Sequence, residues 1–357
     1  MKKRTVGRSL SSGRLSSAWS FVILCLGMLV PALVLAEGTG VLEGQAINAT
    51  AGGQAGEGLE VTLRSFQGQE EAEPQTTTTD AEGRFRFENL ETGSDWAYLV
   101  RVAFQGVLYS PGILAFESGQ SELSTEILVY EATTDAQDVR AERAHIFVNL
   151  EQTGAGSGTS LSVTELYVFS NTTDRTYVGA QEIDGRRWTT RFVLPEGAHD
   201  LVFDDGTLGG RFLTAPEGGF VDTEPHWPGT TSVVYSYELE CVNGICDLTR
   251  ELLHPISNLN VLIPDAGATV ESAQLVMAGT QEAQGTSFLN YAGRDLASGQ
   301  KLDLRIQLPG AAAQAAASQG GRTSALPWII LGTVLVGLAL IYPFWRRRVQ
   351  AAAREQK

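Results

Sequence analysis

Thr79-Asp80-Ala81-Glu82-Gly83-Arg84-Phe85-Arg86-Phe87-Glu88-Asn89-Leu90 reads as a turn that runs straight into a strand. Asp80 and Gly83 supply the turn chemistry, a side chain that bonds its own backbone and a residue free to take positive φ. The run after it alternates Phe with Arg or Glu, which places Phe85 and Phe87 on one face and the charges on the other. The same period of two continues on both sides. Residues 41–48 open the pattern, a Gly-rich turn follows, and 59–66 (LEVTLRSF) puts Val61 and Leu63 on one face. Further short strands are expected at 97–104, 107–109 and 126–130. Sequential antiparallel strands of this length predict a β-sandwich with one small core over 37–134.

A second β-rich region, 135–309, follows an acidic, Ala-rich connection. Its clearest strands are 144–150, 161–170, 188–194, 201–203, 232–242, 259–263, 270–277 and 302–308. Asn171 to Asp174, Pro195-Glu196-Gly197, Asp204-Asp205-Gly206 and Pro264 to Gly267 punctuate them as turns. This region is one large sandwich or two small ones, with the Pro- and Gly-rich stretch 216–229 as the expected boundary. Composition agrees with an all-β chain. Hydrophobic residues make up 43% and charged residues 19%, and the 39 glycines with many Thr and Val favour short strands and tight turns.

The ends read differently. Residues 1–17 carry Lys2, Lys3, Arg4, Arg8 and Arg14, and an apolar run then closes on Val34-Leu35-Ala36, the form of a signal peptide spanning 1–36. Residues 326–345 (LPWIILGTVLVGLALIYPFW) hold no charge over twenty positions, enough helix to cross a hydrocarbon core of about 30 Å. Trp328, Tyr342 and Trp345 suit the two interfaces, and Arg346, Arg347 and Arg348 suit a cytoplasmic stop. Residues 310–325 are a low-complexity tether with a reach of about 20 Å as a coil, and 346–357 a minimal cytoplasmic tail. The expected localisation is therefore the cell membrane, single-pass, with the bulk of the chain extracytoplasmic.

The two ends hold ten of the 26 basic residues and one of the 41 acids, which leaves the part between them with a net charge of −24. Such a field repels nucleic acid and anionic headgroups, so no nucleic-acid partner is expected. Of three cysteines, Cys25 falls in the signal run, where Leu24 before it does not fit a lipoprotein site. Cys241 and Cys246 flank Val242-Asn243-Gly244-Ile245. Asn-Gly is the strongest two-residue hairpin signal, so Val242 faces Ile245 and the next pair outward is Cys241 and Cys246, at a non-hydrogen-bonded position with Cα atoms about 4.5 Å apart. A cross-strand disulfide follows, in an oxidising compartment.

The run Gly40-Val41-Leu42-Glu43-Gly44, then Gly58, Val61 and Leu63, then Thr79 to Leu90, resembles the carboxypeptidase regulatory-like, or transthyretin-like, domain over about 95 residues. The resemblance implies a transthyretin/Ig-like sandwich that is itself non-catalytic, serving as a spacer or adhesion module on exported bacterial proteins. Related sandwiches bind starch. The peptidase is not implied, because none of His145, His199, His226 or His254 has Glu three residues on, as a carboxypeptidase zinc site would. The whole plan resembles exported bacterial proteins that join such a domain to a β-rich region and a C-terminal anchor.

No G-x-S-x-G elbow occurs, and Gly154 to Gly158 is a flexible loop by composition. Asp80, Glu82, Asp204 and Asp205 are turn residues before they are Ca²⁺ ligands. No cofactor, metal or enzymatic activity is expected. Trp96 beside Tyr98, and Trp227 in His226-Trp227-Pro228, are the candidate ligand or partner contacts, with Tyr235 and Tyr237 as one core face. The expected role is a non-catalytic scaffold or interaction module for another exported or membrane protein, with a carbohydrate-binding surface protein as the alternative.

Overall fold

The computed structural model describes residues 39–308 apart from 55, 137, 152–158 and 284. The signal segment, Cys25, the 154–158 loop, the tether, the apolar 326–345 run and the Arg-rich tail lie outside the described residues. Every regular element within them is a β-strand.

The T-D-x-x-G turn shows why the first module folds as it does. Asp80 Oδ1 accepts from the backbone N–H of Glu82 (3.0 Å) and Arg84 (2.7 Å), while Asp80 and Arg84 pair through Asp80 N and Arg84 O at 2.9 Å. Thr79 Oγ1 accepts from Leu59 N at 2.8 Å and donates to the carbonyl of Gly56, tying this turn to the Gly-rich one. Gly83 holds φ +78, and a Cβ there would strike the Ala46 carbonyl. The strand Arg84–Glu91 then buries Phe85, Phe87 and Leu90 and exposes its charges. Gly44 lies opposite Phe85 and is bare because the Phe85 ring occupies the space of a side chain.

Arg84–Glu91 pairs antiparallel with Thr39–Asn48, and that strand pairs on its other side with Glu122–Val129. This second pairing is parallel, from Val41 opposite Glu122 to Asn48 opposite Val129, and corrects the all-antiparallel expectation. The intervening chain is long enough to build the facing sheet before it returns, which is what a parallel neighbour requires. The facing sheet is centred on Glu60–Gln67 and Trp96–Phe104, with Gln75–Thr78, Glu70–Glu71, Val107–Tyr109 and Ile113–Leu114 added at its sides. Leu42, Val61, Leu63, Val100, Val102 and Ile127 meet between the two sheets with at most 2% exposure, so the module is a β-sandwich.

The second region is built on a seven-stranded sheet ordered Ala198–Phe203, Gly229–Cys241, Thr159–Asn171, Val139–Glu151, Ile256–Pro264, Thr286–Leu296, Val276–Ala283. All neighbours are antiparallel except Val139–Glu151 with Ile256–Pro264. Smaller sheets pack on one face. One joins Thr190–Phe192, Phe220–Asp222 and Phe212–Thr214; another joins Ile245–Asp247, Arg305–Gln307 and Thr269–Glu271. A large apolar cluster runs from Ala141 to Leu308 through both layers. The stretch 216–229 carries Phe220, fully buried in that cluster, and Val221, buried in a smaller one with Leu213 and Ala215.

Three expected strands divide. Residues 188–194 break at Thr189 between two sheets, and 302–308 breaks at Asp303-Leu304. Residues 270–277 break because Ser272 Oγ accepts from the N–H groups of Gln274 and Leu275, closing a local turn that competes with the ladder. The disulfide hairpin forms as its spacing dictates. Val242 and Ile245 exchange both backbone bonds (2.9 and 3.0 Å), Asn243 and Gly244 take φ +54 and +76, and Cys241 is bonded to Cys246 with Cα atoms 4.3 Å apart.

The modules meet through a mixed polar and aromatic junction. Ala132–Thr133 pairs in parallel with Thr176–Tyr177. Thr50 Oγ1 donates to Asp174 O (2.9 Å), Ala51 N to Asp174 Oδ2 (2.8 Å), and Arg175 to Glu131 (2.6 Å). Tyr109 is 2% exposed; its hydroxyl donates to Tyr130 O (2.7 Å) and accepts from Thr176 Oγ1 (2.8 Å).

Candidate functional site

Alternation along Thr159–Asn171 sends Leu161, Val163, Tyr167 and Phe169 into the core, and the same face carries Glu165. Its carboxylate is fully buried and accepts from four donors: Tyr237 OH at 2.8 Å, Tyr235 OH at 2.9 Å, Tyr167 OH at 3.0 Å and Arg250 Nη2 at 2.6 Å. Tyr235 lies directly opposite Glu165 in the ladder, and Arg250 arrives from the covering strand Arg250–Glu251. Burial, then the Glu165 charge, raises the Tyr167 hydroxyl to about 12 and those of Tyr235 and Tyr237 well above the ordinary value. All three therefore remain donors. Burial works against the Arg250 charge, but Glu165 and the three hydroxyls outweigh it and hold the guanidinium protonated.

Beside this network a half-open cleft has about 20 Å³ of room, sufficient for one water-sized guest. Tyr167, Tyr235, Arg191, Arg250 and His254 line it. His254 Nε2 donates to the Arg191 carbonyl at 3.0 Å, which leaves its Nδ1 without a hydrogen in the neutral ring, and burial lowers its pKa. Arg191 Nη1 pairs with Glu217 at 2.6 Å. Two buried N–H groups lack an acceptor, Arg250 Nη1 and Arg191 Nε, the second on the opposite face of its strand from Phe192. The neighbouring carboxylate is already saturated by its four donors.

The structure separates the residues expected to make contacts. Trp96 is half-buried and stacks on the buried Tyr98, centroids 6.5 Å apart at 14°, at the edge of the first module. Trp227 sits at the junction, 5.7 Å from the Tyr109 ring and packed against the first core, with its indole N–H buried and unpartnered. His226 beside it is 1% exposed, bonded through Nε2 to Thr190 Oγ1 (2.7 Å) and stacked on Tyr177. Asp205, in the Asp204-Asp205-Gly206 turn, pairs with Arg211, which also forks onto the buried Asp222 at 2.9 and 2.6 Å. Glu165, Arg191, Arg250 and His254 were not singled out from sequence. Glu165 was findable, since it stands at an inward position of an alternating strand.

No family model matches the chain, and no curated protein matches it. Solved structures show faint likeness. An M1 zinc metallopeptidase from Deinococcus radiodurans, bound to a Tyr-Ser-Ala substrate, shares 13% identity over 48% of this chain with a TM-score of 0.29; the chain spans 43% of its length. The full-length major pilin SpaD from Corynebacterium diphtheriae shares 11% identity over 75% of this chain and 81% of its own, with a TM-score of 0.22. A DUF3823 family protein from Parabacteroides merdae shares 14% over 55% and 79%, with a TM-score of 0.19. At these scores the likenesses carry no argument about fold or activity.

Proposed function

We propose that this protein is a non-catalytic, extracytoplasmic scaffold, exported by its N-terminal signal and held to the membrane by the 326–345 helix, which keeps another exported or membrane protein close to the bilayer. The observation that carries the reading is the junction. Spacers joined by a free linker let a cargo wander, whereas two modules locked through Tyr109, Asp174, Arg175 and Trp227 present one surface of constant shape. The disulfide hairpin supports an oxidising compartment. The T-D-x-x-G-x-F-x-F-x-x-L run and the sandwich built on it support a carboxypeptidase regulatory-like first module serving as spacer.

Affinity purification of the tagged full-length protein from solubilised membranes of its own host tests the reading. A stoichiometric exported or membrane partner that survives salt washing is expected. Repeated recovery of the chain alone, after mild cross-linking as well, contradicts the scaffold role.

A further inference from the structure

We propose that the free edge of the seven-stranded sheet, Val276–Ala283, accepts an extended segment of a partner protein as an eighth strand, and that this segment places a lysine or arginine opposite Glu282. The inference rests on the scaffold reading and names the surface that does the holding. Among the described residues the strand has one ladder neighbour, Thr286–Leu296, and seven of its eight residues are exposed. Successive side chains point to opposite faces, so exposure at consecutive positions leaves both faces of the sheet open here. The outward backbone N–H and C=O groups are open with them, which is what an added strand pairs with.

The other long edge strands among the described residues are guarded. Arg84–Glu91 carries four charges in eight residues, and Glu122–Val129 carries Glu122 and Glu126. In Ala198–Phe203 the ladder breaks between His199 and Val202, with Asp200 at φ +51. The sheet that faces Thr39–Asn48 ends in strands of two to four residues. Charges, breaks and shortness are the devices that keep edges from pairing. Val276–Ala283 has Glu282 as its sole charge, and its first residues, Val276 and Met277, are 69% and 53% exposed. Its register shifts between Met277 and Gly279, after which Gly279–Ala283 runs regularly opposite Asn290 to Thr286.

The ladder states what an added strand meets. Met277, Thr280 and Glu282 lie opposite Tyr291, Leu289 and Ser287 and share one face; Val276, Gly279 and Gln281, opposite Ala292, Asn290 and Phe288, share the other. A segment that sets an apolar side chain across from Met277 and a cation across from Glu282 answers the first face, since opposite charges across a ladder attract. Charge excludes the nearest alternative. A second copy of this chain brings another acidic body of net charge −24 and another Glu282, whereas a basic segment is drawn to the same field.

Site-specific photo-crosslinking tests it. Full-length protein with Met277→p-benzoylphenylalanine is irradiated in the membranes of its own host, and the adduct is digested and sequenced by mass spectrometry. The expected adduct is to one segment of another exported or membrane protein, with Lys or Arg about four residues from the cross-linked one, as Ser287 lies from Tyr291 on the existing neighbour. Glu282→Lys, on an exposed strand, should cut the yield by about three- to fivefold. Thr280→Pro and Gln281→Pro separate edge from fold, because adjacent N–H groups point to opposite sides of a strand. The one that spares Tm closes the edge and should abolish the adduct; if both lower Tm, Glu282→Lys decides. A yield unchanged in these variants overturns the proposal, as does an adduct to 276–283 of a second copy or to a segment without a basic residue. No adduct in membranes from which affinity purification recovers a partner overturns the edge and leaves the scaffold standing. If purification recovers none either, both readings fall.

Discussion

The most consequential single side chain is Glu165. A carboxylate with no exposure is tolerable only because three hydroxyls and one guanidinium surround it, and each of them would be stranded without it. Glu165→Gln keeps the shape and removes the charge, leaving Arg250 buried without its counterion. Chemical denaturation should show a loss of about 3–5 kcal/mol. Arg250→Met should cost less in the Glu165→Gln background than in the wild type, because the stranded charge is gone. Strict additivity would mean that the pair does not act as a unit. The pair spans 85 positions, and alternation alone gives a strand position no long-range partner, so sequence reading reaches Glu165's face and stops short of Arg250. Cys241 and Cys246 are the opposite case, fully legible because a five-residue separation and an Asn-Gly turn leave one geometry.

At the scale of the element, the chain leading into Gly229–Cys241 is pinned by one histidine. His226 exchanges both backbone bonds with Tyr177 (3.0 and 2.9 Å), accepts Asn171 Nδ2 at its carbonyl and bonds Thr190 through its ring. Burial, with the nearby His254 and Arg211, lowers its pKa to about 4. The folded state therefore binds this proton less readily than the unfolded chain, whose histidine titrates near 6.5. Stability from this group is complete above the unfolded value and falls as pH drops from about 6.5 toward 4, by roughly 2–3 kcal/mol. Urea midpoints between pH 7 and 4.5 should show this decline, and His226→Gln should make it shallower without removing it, since burial lowers His145 and His254 in the same direction; an equal decline in the variant would assign the effect to those other groups. The sequence reads 216–229 as punctuation because Pro and Gly dominate it. What composition hides is that Phe220 and His226 are both core residues, spaced so that the segment crosses the core between its turns. Ser272 misleads in the other direction, ending a strand that the apolar pattern on either side carries through it.

For the whole molecule the central statement is that two β-modules form one body. The individual strands of both were legible from alternation, yet the parallel return of Glu122–Val129 and the junction were not, since each depends on surfaces that exist only after the local strands have paired. Trp227 shows the difficulty. An aromatic flanked by His and Pro in a loop reads as a free platform, while here its ring closes the seam against Tyr109. Rigidity is measured directly by pulsed electron–electron double resonance on the full-length chain, with Cys25→Ser and spin labels at the exposed positions Glu88→Cys in the first module and Glu282→Cys in the second. The account predicts a single distance distribution no wider than that from a pair within the second module, Glu182→Cys with Glu282→Cys. A broader or multi-peaked distribution between the modules would contradict it.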